Sequence, residues 1–428
     1  MAESGEHPTH CPQCRESLPR TGKFRLWCPG CEWNLQGEPT ARIVWNRKGS
    51  LFSRALRSFG NRFATAQFEA LLKVDETVLR PRLTRSKLLA YGLALLVSVV
   101  YVGLLAAGLM LIWPLRMPQT IVGIFLVLLF VAVRPRWRKP DGERRLARVE
   151  APGLFALVDQ VSAALGTRAP DCIAIDGTFN ATFGTVGPFR RSILTIGLPL
   201  WCLLSGQQRV ALVGHELAHG INNDPLRGTI LAAATQMLFS WIAMVRPDRL
   251  VGATPNVFVA LAEFPFRLGL LLIAKLLHLW ATALLALIWH ESQRAEYLAD
   301  AIGARASGTG PARELFERIA YADCVVAVAE RIAYQIRGES DFFEDFPRYV
   351  ADLPDLERER LKRQALRAGV QFDSSHPPNA FRLRMLARND LPVRVVLTPQ
   401  ASKAIDEELR AMRPQMQGSL IAAYFPDR

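Results

Sequence analysis

A chain of 428 residues has room for two or three domains and a sizeable core. Half of its residues are hydrophobic and its mean hydropathy is +0.13, high for a soluble protein and typical of membrane spans set between soluble parts. The net charge of +13 calls for an anionic partner, nucleic acid or lipid, and the placement of the charge decides between them.

Four of the seven cysteines sit in two close pairs, which argues against a disulfide framework. The first 30 residues contain no apolar stretch, so no cleavable signal peptide is expected and the N-terminus is expected in the cytosol. Cys11-Pro-Gln-Cys14 and Cys28-Pro-Gly-Cys31 are two CxxC pairs 13 residues apart. Four thiolates at that spacing suit a tetrahedral structural zinc, so residues 1–35 are expected to form a zinc ribbon. With every coordination position filled, such a site folds its domain and does no chemistry. The partner of this ribbon is not legible in the sequence.

Residues 36–87 form a basic, partly amphipathic linker, with 11 Lys or Arg against 4 acids. Within it Phe52, Leu56, Phe59 and Phe63 recur at helical spacing, with Arg54, Arg57 and Arg62 elsewhere around the helix. That pattern suits an anionic membrane surface, or packing on the protein itself. The basic run leads directly into a membrane span, so the lipid bilayer is the expected partner and nucleic acid is not.

Residues 88–113 hold no charge over 26 positions, a helix of about 39 Å, enough to cross a hydrocarbon core of about 30 Å with tilt. Pro114, Arg116 and Pro118 mark a turn, and residues 121–133 return, giving a transmembrane hairpin over 88–133. Arg80, Arg82, Arg85 and Lys87 precede it and Arg134, Arg136, Arg138 and Lys139 follow it, which places both flanks on the cytoplasmic side.

A soluble α/β character begins near Gly142, so residues 142–428 are expected to form one domain. Residues 154–165 have a helical apolar period, and 172–175 and 192–196 read as short strands. Between them lie Asn180 and Ala181 and the turn residues Gly184, Gly187 and Pro188, consistent with an antiparallel edge strand that binds an extended peptide by strand addition.

His215-Glu216-Leu217-Ala218-His219 reads HExxH inside an apolar run. On a helix, positions i and i+4 share a face, so His215 and His219 present two imidazoles to one metal while Glu216 stands beside it, free to polarise a water. A catalytic zinc takes a third protein ligand, and Glu296 and Asp300 offer one ligand and one acceptor for a ligand histidine. Two further apolar stretches, 229–245 and 268–289, lie between these motifs and are read as an inserted hydrophobic hairpin over 229–289. Lys275 and His278 interrupt the second and are expected to face a protein-lined cavity. Beyond an acid-rich helical stretch over 312–367, His376-Pro377-Pro378 with Arg382 suits a rigid loop feeding a helix.

Three motifs thus agree in order and spacing: His215 to His219 with Asp224, Arg294-Ala295-Glu296-Tyr297-Leu298-Ala299-Asp300, and His376-Pro377-Pro378 with Arg382. Over residues 86–390 the chain resembles the membrane-integrated gluzincin metallopeptidases of the HtpX and CAAX prenyl protease group. The resemblance implies an α+β fold, mainly helical: an integral membrane protein whose gluzincin-type catalytic domain joins a small β-sheet to an active-site helix and a glutamate helix. It implies a zinc metalloendopeptidase with Glu216 as base, His215, His219 and Glu296 as ligands of one catalytic zinc, and Asp300 and Asp224 as outer partners. It also places Asn180 and Ala181 on the substrate-binding edge, and His376 and Arg382 in the cleft. His376 is the best donor for the oxyanion. The expected substrates are polypeptides, membrane or misfolded proteins in HtpX-like quality control, cleaved at a cytoplasmic site of a multi-pass protein of the cell membrane. Processing of prenylated proteins and a catalytically silent membrane scaffold are the alternatives. The ribbon and its structural zinc, a second ion per chain, lie outside the resemblance.

Overall fold

The computed structural model describes residues 9–19, 22, 24–35, 68–69, 84–113, 115–135, 143–186, 191–222, 229–245, 257–334, 340–367 and 377–426. Most of the linker, including the proposed amphipathic helix from Phe52 to Phe63, lies outside them.

Apolar helices α1 (Arg85–Ile112) and α2 (Met117–Ala132) form a hairpin. Thr84 caps α1, its hydroxyl accepting from the Lys87 amide at 3.0 Å. The two helices meet through glycines, since a Cβ on Gly123 would stand 2.6 Å from the Gly108 carbonyl oxygen. Close by, Tyr101 and Phe130 stack at 4.2 Å. The small inward face of α1 (Ala90, Ala94, Val97) packs with Leu231, Ala234 and Leu238 of α6 (Thr229–Met244) and with Ala281, Leu284 and Ile288 of α7 (Val257–Ser307). The outward faces carry exposed Leu89, Leu95, Phe125, Leu272 and Leu276, an apolar surface that suits a bilayer. By length and composition α1 and α7 are long and apolar enough to cross a membrane, whereas α2 and α6 have 16 residues each.

Helix α7 departs from the expected layout. The second apolar stretch does not end before the Glu296 motif but continues through it as one helix of 51 residues, about 77 Å long. Residues 290–300 contain no Gly or Pro and are rich in good helix formers, so nothing interrupts the hydrogen-bond ladder. One rod therefore carries both the apolar bundle contacts and the Glu296 motif. Lys275 and His278 are exposed on it and do not face a protein-lined cavity. The inward stripe runs through Leu277, Ala281, Leu284 and Ile288, which leaves both polar residues off it. At the base of the bundle Glu291 is buried and accepts from the hydroxyls of Thr84 (2.6 Å) and Ser86 (2.5 Å), tying α1 to α7.

The remaining body is built on a four-stranded sheet of β1 (Arg144–Leu146), β2 (Cys172–Asp176), β3 (Ala181–Val186) and β4 (Arg191–Gly197), in the order β1-β2-β4-β3. The central pair β2 and β4 is parallel, and β1 and β3 flank it antiparallel. Ile173, Ile175, Leu194 and Ile196 of the central strands share one core with Leu154, Val158 and Val161 of α3 (Pro152–Leu165), Trp201 of the short α4 (Leu198–Trp201), and Val213 and Leu217 of α5 (Gly206–Asn222). Helices α8 (Thr309–Ile319), α9 (Ala322–Tyr334), α10 (Phe342–Ala351), α11 (Asp355–Arg367), α12 (Asn379–Leu386), α13 (Pro399–Arg410) and α14 (Arg413–Tyr424) complete this body.

The cysteine-bearing segment rests on α11. Arg363 donates to the Pro29 carbonyl at 2.7 Å and lies over the Trp27 ring, Arg360 donates to the Leu35 carbonyl, and Arg367 pairs with Glu32. Part of what the ribbon touches is thus this chain's own catalytic body.

Candidate active site and metal centres

The site stands where α5 crosses α7. HExxH helix α5 is amphipathic, with Val210, Ala211, Val213 and Leu217 buried in the core, so its opposite face turns to α7. The crossing is closed by two glycines. A Cβ on Gly303 would lie 2.7 Å from the His215 amide nitrogen, and one on Gly214 would lie 3.0 Å from the Gly303 carbonyl oxygen. No larger residue permits that approach, which brings the two backbones close enough for short side chains from both helices to converge. Strand β3 abuts the last turn of α5 through Phe183, whose ring occupies the space a Cβ on Gly220 would take.

Three donors meet at the crossing. The Nε2 atoms of His215 and His219 are 3.2 Å apart, and the Glu296 carboxylate oxygens lie 3.5 Å and 3.3 Å from them. Ligands at about 2.0–2.1 Å from a tetrahedral zinc stand about 3.3 Å from one another, so the two nitrogens and the carboxylate are spaced as one triangular face of such a site. Glu216 lies beside this face, with a carboxylate oxygen 3.9 Å from His215 Nε2. The charges agree with a divalent ion. Among the described residues, Glu216, Glu296 and Asp300 are buried carboxylates gathered around the buried guanidinium of Arg382, a strongly ionic setting that suits a divalent ion.

Around the donors runs a chain of charge-assisted contacts. Asp300 Oδ1 is 3.0 Å from His215 Nδ1, so this nitrogen carries the proton and Nε2 keeps its lone pair for a metal. Arg382 grips Asp300 with two bonds of 2.7 Å and reaches Glu296 at 3.3 Å. Burial alone would raise the Asp300 carboxyl, yet Arg382 and His215 hold it below the usual carboxylate range. Burial likewise works against charge on His215, but Asp300 and Glu296 outweigh it and push its pKa up to about 9. The surroundings of that ring favour a cation.

One face of the site opens into a cavity lined by His215, Glu216, Asn180, Asn379, Arg382 and apolar side chains of α5 and α8, Phe316 foremost. Strand β3 is the sheet edge on this side; Asn180 borders the cavity while its carbonyl accepts from the Gly197 amide at 2.8 Å. Ala181 is buried at the start of that strand. Arg382 borders the cavity too, and its guanidinium pairs with Asp300 through two bonds. His376 and Asp224 lie outside the described residues. The structure thus brings together His215, Glu216, His219, Glu296, Asp300 and Arg382, with Asn180 at the margin. Gly214, Gly303, Asn379 and Phe316 were not singled out from sequence. The one signal for the glycines was their occurrence inside otherwise helical runs, where glycine costs about 1 kcal/mol and needs a packing reason.

The second centre is independent of the first. Cys11 and Cys31 sulfurs are 3.4 Å apart and those of Cys14 and Cys28 are 3.5 Å apart, with all four within 4.8 Å of one another. Sulfurs at about 2.3 Å from a tetrahedral zinc stand about 3.8 Å apart, so this set also fits the ion.

Comparison with known proteins adds three findings. Residues 150–390, more than half of the chain, match the family model described as peptidase family M48. Over 168 residues the chain is 29% identical to the protein named "Protease HtpX homolog" of Thermococcus kodakarensis, an alignment covering 37% of this chain and 53% of that protein, so the chain spans about half the length of the curated relative it matches. No solved structure matches.

The glycine crossing makes a specific demand. Gly303→Ala places a methyl group against the backbone of His215, and the helices must separate by a few tenths of an ångström or more. The folded variant is expected to bind the ion of the histidine site at least tenfold more weakly while the cysteine site keeps its own. Chelator titration with metal analysis reads both; unchanged affinity at the histidine site would show that the crossing does not set the ligand spacing.

Proposed function

The chain belongs to peptidase family M48, and on that premise we propose that it is a zinc-dependent membrane endopeptidase that hydrolyses peptide bonds of membrane or misfolded proteins, in the manner of HtpX-type quality control. One observation carries the reading. Two imidazole nitrogens and a carboxylate occupy one face of a tetrahedron, with a further buried carboxylate, Glu216, beside them at the head of a cavity.

His215, His219 and Glu296 hold the catalytic ion in this reading, and Cys11, Cys14, Cys28 and Cys31 hold the structural one. When bound at the first set, zinc supplies Lewis acidity, bringing the pKa of its water to about 7 and polarising a carbonyl oxygen. The protein does the rest. Glu216, held dry beside the donors, takes a proton from the attacking water and delivers it to the departing amine. Asp300 keeps His215 in the tautomer that presents Nε2, and Arg382 holds Asp300 in place while lying beside Glu296. The outer edge of β3, beginning at Asn180 and Ala181, receives the substrate backbone as an added strand in this reading. Apolar residues of the cavity receive one substrate side chain. His376 is proposed as the donor to the developing oxyanion, and Asp224 as an outer partner of the ligand helix.

Cationic flanks on both sides of the α1–α2 hairpin support an orientation with the ribbon and the catalytic body in the cytoplasm and the α2 entry turn outside. Reduced thiols there suit four zinc-bound cysteines. The domains follow: ribbon 1–35, basic linker 36–87, hairpin 88–133, and a peptidase domain 142–428 interrupted by apolar helices between 229 and 289.

Two experiments test these proposals. Glu216→Gln is expected to lower cleavage of casein or a membrane-protein substrate by at least a hundredfold while the zinc content stays at the wild-type level. Near-normal turnover would remove Glu216 from the base role, and selective cleavage of a prenylated peptide by the wild type would redirect the substrate class. Single cysteines at Gln119 and Ala401 report the orientation. An impermeant maleimide should label Gln119→Cys in intact cells and reach Ala401→Cys only after permeabilisation, whereas labelling at Ala401→Cys in intact cells would place the catalytic body outside.

A further inference from the structure

Residues 36–83 belong to the linker that precedes the family domain, and within it Phe68 and Glu69 are the described positions. Phe68 is not a surface residue. It is 1% exposed and closes a small apolar cluster with Tyr297, Leu298, Met385 and Phe381. Its ring stacks on Phe381 at 4.4 Å with an interplanar angle of 7°, tilts against Tyr297 at 5.9 Å, and lies under the Arg384 guanidinium.

The identity of these neighbours matters. Tyr297 and Leu298 follow the ligand Glu296 on α7, and Phe381 precedes Arg382 on α12. Helix α12 has 8 residues, too few to hold its place unaided. Its C-terminal side is pinned through Thr309, which bonds the Asn389 carbonyl and the Leu391 amide. On its N-terminal side the preceding helix α11 is pinned by the ribbon through Arg360 and Arg363. Between α12 and α7 themselves the packing is not tight, for a small cavity lined by Tyr297, Asp300, Met385 and Leu386 lies there.

From this we infer that the N-terminal extension is part of the catalytic unit, and that Phe68 is a positioning residue. By bracing Tyr297 and Phe381 it presses α12 onto α7, keeps Arg382 paired with Asp300, and thereby keeps His215 aimed at the metal. The inference rests on the assignment of His215, His219 and Glu296 as the catalytic zinc ligands. It goes beyond that assignment because it gives residues outside 150–390 a role at the site.

The test uses the full-length protein in detergent at a temperature well below its unfolding transition. Phe68→Ala, Phe68→Leu and, as a control for loosened aromatic packing elsewhere in the core, Phe342→Leu are titrated with a chelator while zinc is counted. The cysteine site serves as internal reference. Phe68→Ala is expected to weaken the histidine-site zinc about tenfold, as loss of an outer partner does. Phe68→Leu should recover part of that loss, and Phe342→Leu should lower the unfolding temperature with wild-type zinc affinity. Should Phe68→Ala fail to fold, Phe68→Leu decides, because it keeps most of the volume and lacks the stacked ring. Wild-type zinc affinity in every folded Phe68 variant would reduce Phe68 to ordinary packing and overturn the inference. A wild type that holds only the cysteine-site zinc would instead remove the ligand assignment, and the inference with it.

Discussion

Everything at this site depends on how closely two helices approach. Gly214 and Gly303 let the backbones of α5 and α7 touch, and that contact lets Glu296 reach two histidines on another helix. Carboxylate and imidazole side chains are short and extend only a few ångströms. A separation suited to leucine–leucine packing, 8–10 Å between axes, would leave the donors too far apart for one ion. The helix that supplies Glu296 is also the rod that packs in the apolar bundle, so ligand geometry and membrane packing share one mechanical element. Glu291, held by hydroxyls of Thr84 and Ser86, fixes that rod against α1 where the two functions meet.

The buried charge around the crossing gives the site its affinity for a cation. Five ionisable side chains on α5 and α7 and one on α12 are nearly inaccessible to water: His215, Glu216, His219, Glu296, Asp300 and Arg382. Burying such groups costs several kcal/mol each unless they are paired. Arg382 pairs with one carboxylate fully and with a second in part. A divalent ion held there would sit among three buried carboxylates. The cysteine site follows a different logic, because its four sulfurs lie in tight turns with Arg15, Glu32 and Asn34 in the left-handed region, and it leaves no position open.

How much of this was legible in the sequence follows from the range of each interaction. HExxH and the two CxxC pairs are local patterns in which the backbone periodicity alone places the donors together, so His215, His219 and the four cysteines could be read directly. Glu296 and Asp300 stood out together because they share one helical face, and the resemblance, not the spacing, singled out Glu296. The continuity of α7 was harder to see, since hydropathy marks where a lipid-facing segment ends and not where a helix ends. The outward orientation of Lys275 and His278 was missed because it depends on which stripe α1 and α6 occupy, a tertiary fact. The glycine contact, the Arg382–Asp300 pair across 82 residues and the insertion of Phe68 are all long-range, and no local pattern announces them.

The central claim is that one face of a tetrahedron formed by His215, His219 and Glu296 holds a zinc ion separate from that of the ribbon. The most direct measurement is the zinc content of purified wild type and Glu296→Ala, each before and after treatment with a thiol-modifying reagent that empties the cysteine site. Wild type should carry two zinc ions per chain and keep one after treatment. Glu296→Ala should carry one and lose it on treatment. Two ions in untreated Glu296→Ala, or one that survives treatment, would contradict the assignment of Glu296 and the geometry built on it.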